Sequence, residues 1–235
     1  MNKSIDIVLP VYNESKNLEK RFIILYEYMI KHFQSGWVIT IAENGSKDNT
    51  LQIAKVLQSK YKNSRVISNS EAGKGLALKN AWLTSNADIF GYMDSDLSTD
   101  IEILPEFIKK ISEENYDFVI ASRLIKGSKV IDRSLKREII SRSYSKIFRA
   151  ILSVNFFDAQ CGFKFAKKES VLKIIDDCKD KEWFFDTELL YKAEKNNLSI
   201  CEVPVTWVDD KDSSVNLIST IINDLIGLIR LRLGK

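Results

Sequence analysis

Hydrophobic positions in the first half of the chain alternate between two spacings. Short runs at Ile5–Pro10, Trp37–Ala42, Arg65–Ser68, Ala87–Met93 and Asp117–Ser122 read as strands. Between them, apolar residues three and four apart predict helices. One covers Asn17–Phe33, with Leu18, Phe22, Leu25, Tyr26, Met29 and Phe33 on its face, and another Thr50–Tyr61, with Leu51, Ala54 and Leu57. Two more are predicted over Lys74–Ser85 and Glu102–Ser112. This order implies an α/β fold: a mostly parallel sheet flanked by helices. Ligands of such sheets bind outside the carboxyl ends of the strands. That rule selects the turns Val11–Ser15, Glu43–Asp48, Asp94–Thr99 and Ser122–Gly127.

The second half is less regular. Gly127–Ser134 reads as a loop, Leu135–Phe148 as a helix, Gln160–Ala166 as a strand, Asp186–Lys195 as a helix and Ser199–Pro204 as a strand. The last stretch, Val215–Leu233, is predicted as an amphipathic C-terminal helix. Its Leu217, Ile218, Ile221, Ile222, Leu225, Ile226, Leu228 and Ile229 recur at near-helical spacing, interrupted by Asn223, Asp224, Arg230 and Arg232. A helix of this kind either packs on the core or lies in a lipid headgroup layer, and the pattern leaves both open. Ile147–Phe157 offers a second apolar surface with the same two readings. With no internal repeat and no low-complexity linker, a single domain over 1–235 is expected.

Composition narrows the class. Of 235 residues, 45% are hydrophobic and 29% charged, the balance of a globular chain rather than a disordered one. Cys161, Cys178 and Cys201 show no CxxC spacing, so neither a disulfide framework nor a zinc cage is expected. A single histidine, His32, excludes a multi-histidine metal site. No run approaches the roughly 18 apolar residues of a membrane span, and no secretory leader is expected at the start. The net charge of +3 is uninformative, but its distribution is not. Arg123–Arg149 holds nine cations against Asp132 and Glu138, a local +7 that leaves the rest near −4. Such a segment is either a solvated helix face or a site that neutralises anions; arginine holds phosphate oxygens with paired N–H donors.

The candidate chemistry centres on Asp94-Ser95-Asp96, after an apolar strand. Two carboxylates two residues apart can point to one side, and hard oxygen ligands suit Mg²⁺ or Mn²⁺ bridged to substrate phosphates. The alternative is a solvated acidic loop. Pro10-Val11-Tyr12-Asn13-Glu14 follows the first strand and could hold a flat base, or simply start a helix. Glu43-Asn44-Gly45-Ser46-Lys47-Asp48-Asn49 carries turn chemistry, and Gly73-Lys74-Gly75 opens a helix whose free N–H groups could face an anion. Trp183, before Phe184-Phe185-Asp186, reads as a pocket wall, and Cys161 as a small buried thiol.

VLPVYNE, ENGSKDNT, EAGKG, MDSDLST, ASR, DAQCGFKF and the WFFDTELL run fall in the order found in family 2 glycosyltransferases. The chain resembles that family over nearly its whole length, and within it the dolichyl-phosphate glucosyltransferases and dolichyl-phosphate mannose synthases. The resemblance implies a GT-A fold, with a nucleotide-sugar half over 1–122, an acceptor half over 123–214 and the amphipathic helix over 215–235. It implies that Pro10, Tyr12, Glu14, Glu43 and Asn44 line the base pocket, although many relatives have Asp-Asp-Gly-Ser where this chain has Glu43-Asn44-Gly45-Ser46. Lys74, Asp94 and Ser95 would meet the nucleotide, and Asp96 would bind the metal, Mg²⁺ or Mn²⁺. Arg123, Arg137, Ser141 and Lys164 would surround phosphates, and Asp186 would be a catalytic or sugar-positioning carboxylate.

The implied activity is an inverting, metal-dependent transfer of a hexose, with glucose from UDP-glucose as the expected donor, onto dolichyl or polyprenyl phosphate. Alternatives are mannosyl transfer from GDP-mannose, or a non-catalytic nucleotide-sugar-binding protein that docks on membranes. The expected partners are the nucleotide sugar, the lipid phosphate and a membrane surface, with no nucleic acid. The expected place is the cytoplasmic face of a membrane, as a peripheral protein. A hydroxyl acceptor would need a general base, worth about 10²–10⁴-fold. A phosphate monoester has a second pKa of about 6 and is already an anionic nucleophile at neutral pH, so Asp186 is expected to orient rather than deprotonate.

Overall fold

The computed structural model describes residues 3–209 and 217–234. The first half follows the predicted alternation: β1 (Ile5–Val11), α1 (Leu18–His32), β2 (Trp37–Asn44), α2 (Thr50–Lys60), β3 (Ser64–Asn69), α3 (Lys74–Leu83), β4 (Ile89–Met93), α4 (Leu104–Ser112) and β5 (Phe118–Ser122). The second half adds β6 (Lys129–Ile131), α5 (Leu135–Leu152), β7 (Phe163–Lys167), α6 (Lys168–Leu172), α7 (Phe185–Lys195), β8 (Ile200–Pro204), β9 (Thr206–Val208) and α8 (Leu217–Arg232).

A seven-stranded sheet runs in the order β3-β2-β1-β4-β7-β5-β8. All neighbouring pairs are parallel except those of β7, which lies antiparallel between β4 and β5. The strand order reverses between β1 and β4, the place where such sheets open a crevice. Because β7 runs the other way, its first residues share the edge at which β4 ends: Phe163 stands opposite Met93 and Lys164 opposite Tyr92.

Alternate side chains of β1 go to opposite faces. Ile7 and Leu9 join Phe22, Phe107 and Phe163 beneath α1 and α4. Val8 joins Tyr92, Phe148, Phe185 and Leu228 beneath α5, α7 and α8. Each fully buried side chain of this size contributes about 1.5–3 kcal/mol.

Three short elements, β6, β9 and α6, were not foreseen. The expected loop Gly127–Ser134 contains β6, which pairs in parallel with β9 (Lys129 with Thr206, Ile131 with Val208). Three residues are too few to show an alternation. α6 follows β7 without a break and carries no start signal of its own.

The C-terminal helix begins at Leu217; Val215 and Asn216 lie outside the described residues, as do the side chains of Leu217 and Ile218. One face of α8 packs on the domain through buried Asp224, Leu228 and Leu231. Gly227 permits this seat, because a Cβ there would stand 2.4 Å from the Phe184 ring. Arg230 fastens the same face to Glu188 at 2.8 Å. Ile222, Leu225, Ile226, Ile229 and Leu233 remain exposed, as do Leu135, Ile139 and Ile147 on neighbouring α5. Among the described residues no helix is long and apolar enough to cross a membrane.

Candidate active site

The loops that follow β1 and β2 are stitched together by hydrogen bonds. Asn13 sits in the left-handed region with φ 54°. Its N–H donates to Ser46 Oγ at 3.0 Å, and its Oδ1 accepts from Lys47 N at 2.8 Å. Glu14 N donates to Thr50 Oγ1 at 2.8 Å and Ser15 N to Asp48 Oδ2 at 3.2 Å. These loops form one wall of a cleft of about 970 Å³, to which Pro10, Tyr12, Glu14 and Asn44 contribute. Asn44 Oδ1 accepts from Gly73 N at 2.7 Å and ties this wall to the start of α3.

The floor holds a buried charge cluster. Asp186, on the first turn of α7, is 2% exposed and lines the cleft. Lys164 Nζ lies 2.8 Å from its Oδ1 and Lys74 Nζ 3.1 Å from its Oδ2; the Tyr92 hydroxyl also donates to it. Burial alone would raise the Asp186 carboxyl, but Lys164 and Lys74 outweigh it and hold the group below the ordinary carboxylate range. Lys74 also pairs with Asp94 at 2.9 Å, so one ammonium bridges the two carboxylates. It stands over the rings of Tyr92, at 4.8 Å, and Trp183, at 4.9 Å. Trp183 is a wall of the cleft, as its sequence position suggested. A carboxylate held ionised this firmly is a weak base and a strong acceptor of hydrogen bonds.

Asp94, Ser95 and Asp96 leave β4 into the cleft. The Asp94 N–H donates to Gly162 O at 2.8 Å. A Cβ at position 162 would fall 1.8 Å from Asp94 Oδ2, so glycine there is a condition of the carboxylate's position. Asp96 Oδ1 accepts from Ser98 N at 2.9 Å. Its pKa is raised by burial and then by the like charge of Asp94. Two oxygen-donor carboxylates that repel one another fit a hard divalent cation that takes its remaining ligands from a diphosphate. Among the described residues no group of three or more His, Cys, Asp or Glu could hold a metal without such help.

The wall beyond β7 is cationic. Arg123, at the end of β5, is clamped by buried Asp158, with Nε to Oδ2 and Nη2 to Oδ1 both 2.8 Å. Arg133 stacks 5.6 Å from Trp207 and pairs with Glu138 at 3.2 Å. Arg137 pairs with Asp209, and Ser141 lies one turn further along α5. All of these except Asp158 and Glu138 line the cleft.

Most residues singled out from the sequence are therefore brought together. Glu43 and Lys164 stand behind the surface instead. Glu43 accepts from Ser46 N at 2.5 Å and Ser68 Oγ at 2.8 Å, bracing the β2 turn. Lys164 is buried against Tyr92 and Asp186. Cys161 is a buried thiol, pushed up to about 12 by burial. Sequence reasoning missed Arg133, Tyr144, Gln160, Trp207, Asp209 and Asp224 as cleft residues. Arg133 and Tyr144 had a signal, since both lie in the basic segment, and Gln160 lies in the DAQCGFKF motif; the others come from elements that reach the cleft only through tertiary packing.

The glycosyl transferase family 2 profile matches residues 6–175. Glycosyltransferase AglD of Haloferax volcanii is 32% identical over 220 residues, which cover 93% of this chain and 35% of that protein; the chain thus spans about a third of that relative's length. Dolichyl-phosphate beta-glucosyltransferase of Dictyostelium discoideum is 28% identical over 98% of this chain and 74% of that protein. Among solved structures, glucosyl-3-phosphoglycerate synthase from Mycobacterium tuberculosis, in complex with Mn²⁺, UDP and phosphoglyceric acid, superposes with a TM-score of 0.73 at 17% identity, covering 99% of this chain and 79% of the other. That likeness bears out the GT-A fold. With the motifs standing at the strand ends and the profile spanning most of the sheet, the chain belongs to glycosyl transferase family 2.

Proposed function

We propose that this chain is an inverting glucosyltransferase that moves glucose from UDP-glucose onto dolichyl or polyprenyl phosphate at the cytoplasmic face of a membrane. One observation carries the reading. The cleft joins a carboxylate pair at the end of β4 to an arginine-bearing wall, and the helices that form that wall, α5 and α8, turn apolar residues outward. A divalent cation on the carboxylate pair would receive the anionic donor, the arginines the anionic acceptor, and the outward isoleucines the lipid. The names of the relatives from Dictyostelium discoideum and Trichomonas vaginalis, both dolichyl-phosphate beta-glucosyltransferases, support the same acceptor and sugar.

In this reading Pro10, Tyr12, Glu14 and Asn44 hold the base, and Lys74, Asp94 and Ser95 meet the ribose and diphosphate. Asp96, with Asp94 beside it, would hold Mg²⁺ or Mn²⁺, which when bound neutralises the diphosphate that leaves with the nucleoside. Arg137 and Ser141 receive the acceptor's phosphate. Arg123, with two of its three nitrogens on Asp158, offers its remaining nitrogen and otherwise fixes the wall. Glu43 and Lys164 brace the site from behind. Asp186 accepts hydrogen bonds from the sugar and sets its angle to the incoming oxygen. No general base is required, because the phosphate arrives ionised; positioning supplies the rate.

The deciding experiment is a panel of nucleotide sugars assayed with purified polyprenyl phosphate and divalent cation, with product detection by mass. Glucosyl polyprenyl phosphate from UDP-glucose is expected. A product formed only from GDP-mannose would replace the donor, and transfer only to sugar or protein hydroxyls would overturn the acceptor.

A further inference from the structure

The buried face of α8 carries a carboxyl group into the cleft. Asp224 is 3% exposed and lines the cavity beside Tyr144 of α5. Its Oδ2 accepts from Gln160 Nε2 at 2.5 Å, while Oδ1 has no hydrogen-bond partner among the described residues. A buried polar atom left unbonded costs about 1–3 kcal/mol, a cost relieved by a water or a ligand group seated in the cleft. Arg137, Ile140, Ser141 and Tyr144 recur at helical spacing on the cleft side of α5, so a continuous stripe runs from the arginine to Asp224.

We propose that Asp224 is an acceptor-binding residue, which as the neutral acid donates the proton on Oδ1 to an oxygen of the acceptor's phosphate. The inference rests on the lipid-phosphate reading above. Two arguments favour a donor over a base. An ionised monoester has no proton to give up, and a second carboxylate facing it would repel it. The groups facing Asp224 are the Gln160 amide from the loop before β7, the Tyr144 hydroxyl from α5, and the carboxylates of Asp186 on α7 and Asp180 in the loop before it. Burial first, and then Asp180 and Asp186, push Asp224 up to about 7 against the Gln160 hydrogen bond, while the Tyr144 hydroxyl pairs with Thr187 Oγ1 at 3.0 Å. Between the phosphate's second pKa, about 6, and about 7 the acceptor is ionised and Asp224 still carries its proton. A hydrogen bond from an acid to an anionic phosphate is of the strong, charge-assisted kind. The same helix shows Ile222, Ile226 and Ile229 to the outside, so one element would meet both the lipid and its headgroup.

The test uses the full chain with Mg²⁺ or Mn²⁺, UDP-glucose and a short-chain polyprenyl phosphate between pH 6 and 8.5, with UDP affinity measured separately. In the wild type the acceptor KM should rise about tenfold per pH unit above pH 7. Asp224→Asn presents an amide N–H at every pH while its carbonyl still accepts from Gln160. It should keep the acceptor KM within a few-fold at pH 6.5 and lose the rise above pH 7. Asp224→Ala should raise that KM about tenfold, equivalent to about 1.4 kcal/mol, with UDP affinity unchanged. An acceptor KM and pH profile equal in all three proteins would overturn the proposal. Loss of kcat in both variants at unchanged KM would also overturn it and make Asp224 a base. A wild type inactive on every lipid phosphate but active on another acceptor would remove the underlying reading itself, and this proposal with it.

Discussion

Substituting Asp96 by alanine removes a half-buried carboxylate and the hydrogen bond it accepts from Ser98 N. Burial and the charge of Asp94 already disfavour its ionised form, so the Asp96→Ala protein should melt no lower than the wild type at neutral pH. It should nevertheless lose metal-dependent turnover. Full activity in that variant would remove Asp96 from the metal's ligands. Gly162 is the harsher case. Asp94 Oδ2 would lie 1.8 Å from an added Cβ, so Gly162→Ala must displace the carboxylate. Misplacement by about 1 Å can cost on the order of 10²-fold in rate, and a loss of that size in kcat/KM is expected, with far-ultraviolet circular dichroism unchanged. Asp94 and Asp96 were legible because both sit in one turn, after a strand whose apolar run marks its end. The glycine's purpose was not, since the steric contact that requires it forms only when β7 is laid beside β4.

Helix α8 shows why an element can be recognised before its role is. The repeat of leucine and isoleucine foretold a helix, but its apolar residues occupy too much of the circumference to reveal which side packs. The structure divides them: Leu228 and Leu231 face the core, and Ile222, Ile226 and Ile229 face outward. Changing Ile226 and Ile229 together to serine should reduce co-sedimentation with anionic liposomes while leaving the unfolding free energy from urea denaturation within about 0.5 kcal/mol, as expected for exposed positions. Retained liposome binding would assign membrane contact to another surface. The buried side of the same helix makes a second forecast. Asp224 is raised from an ordinary 3.8 to about 7 in the folded protein, so the native state binds this proton more tightly than the unfolded chain. Its contribution to stability is fully present below about pH 4 and is lost as pH rises through about 7. Urea denaturation at pH 4, 5, 6, 7 and 8 should show the wild type weakening relative to Asp224→Asn over that window and running parallel to it above. Parallel behaviour across the whole range would mean that Asp224 is ionised when buried.

Across the molecule, the sheet order separates two tasks. Loops after β1 and β2 build one side of the cleft, β5 and α5 the other, and β4 with the inverted strand β7 lies between them. The parallel half was legible from alternating periods, because each strand is followed by a helix of its own. The direction of β7 was not, since a five-residue buried strand carries no mark of polarity. The reach of β9 was also hidden: it places Trp207 against Arg123 and Arg133 at 5.3 and 5.6 Å, and a lone tryptophan after a proline strand gives no sign of that. The division predicts that damage to one side spares the other. Arg137→Ala should lower kcat/KM for the lipid phosphate by about 1.5–3 kcal/mol, the scale of a hydrogen bond to a charged group, or roughly 10–150-fold, while UDP affinity stays within twofold. Arg137→Lys should recover only part of the loss, because an ammonium keeps the charge but not the paired donors. Tyr12→Ala should do the reverse, weakening UDP and sparing the acceptor KM. Removing Arg137 also leaves Asp209, whose side chain is 8% exposed, without the partner it has in the structure, so thermal melts must accompany the kinetics. Asp209→Asn combined with Arg137→Ala removes the stranded charge, and the acceptor defect should persist in that stabilised double variant. If stability and acceptor kinetics recovered together, Arg137 would be a structural partner of Asp209 and the phosphate would bind elsewhere on the wall.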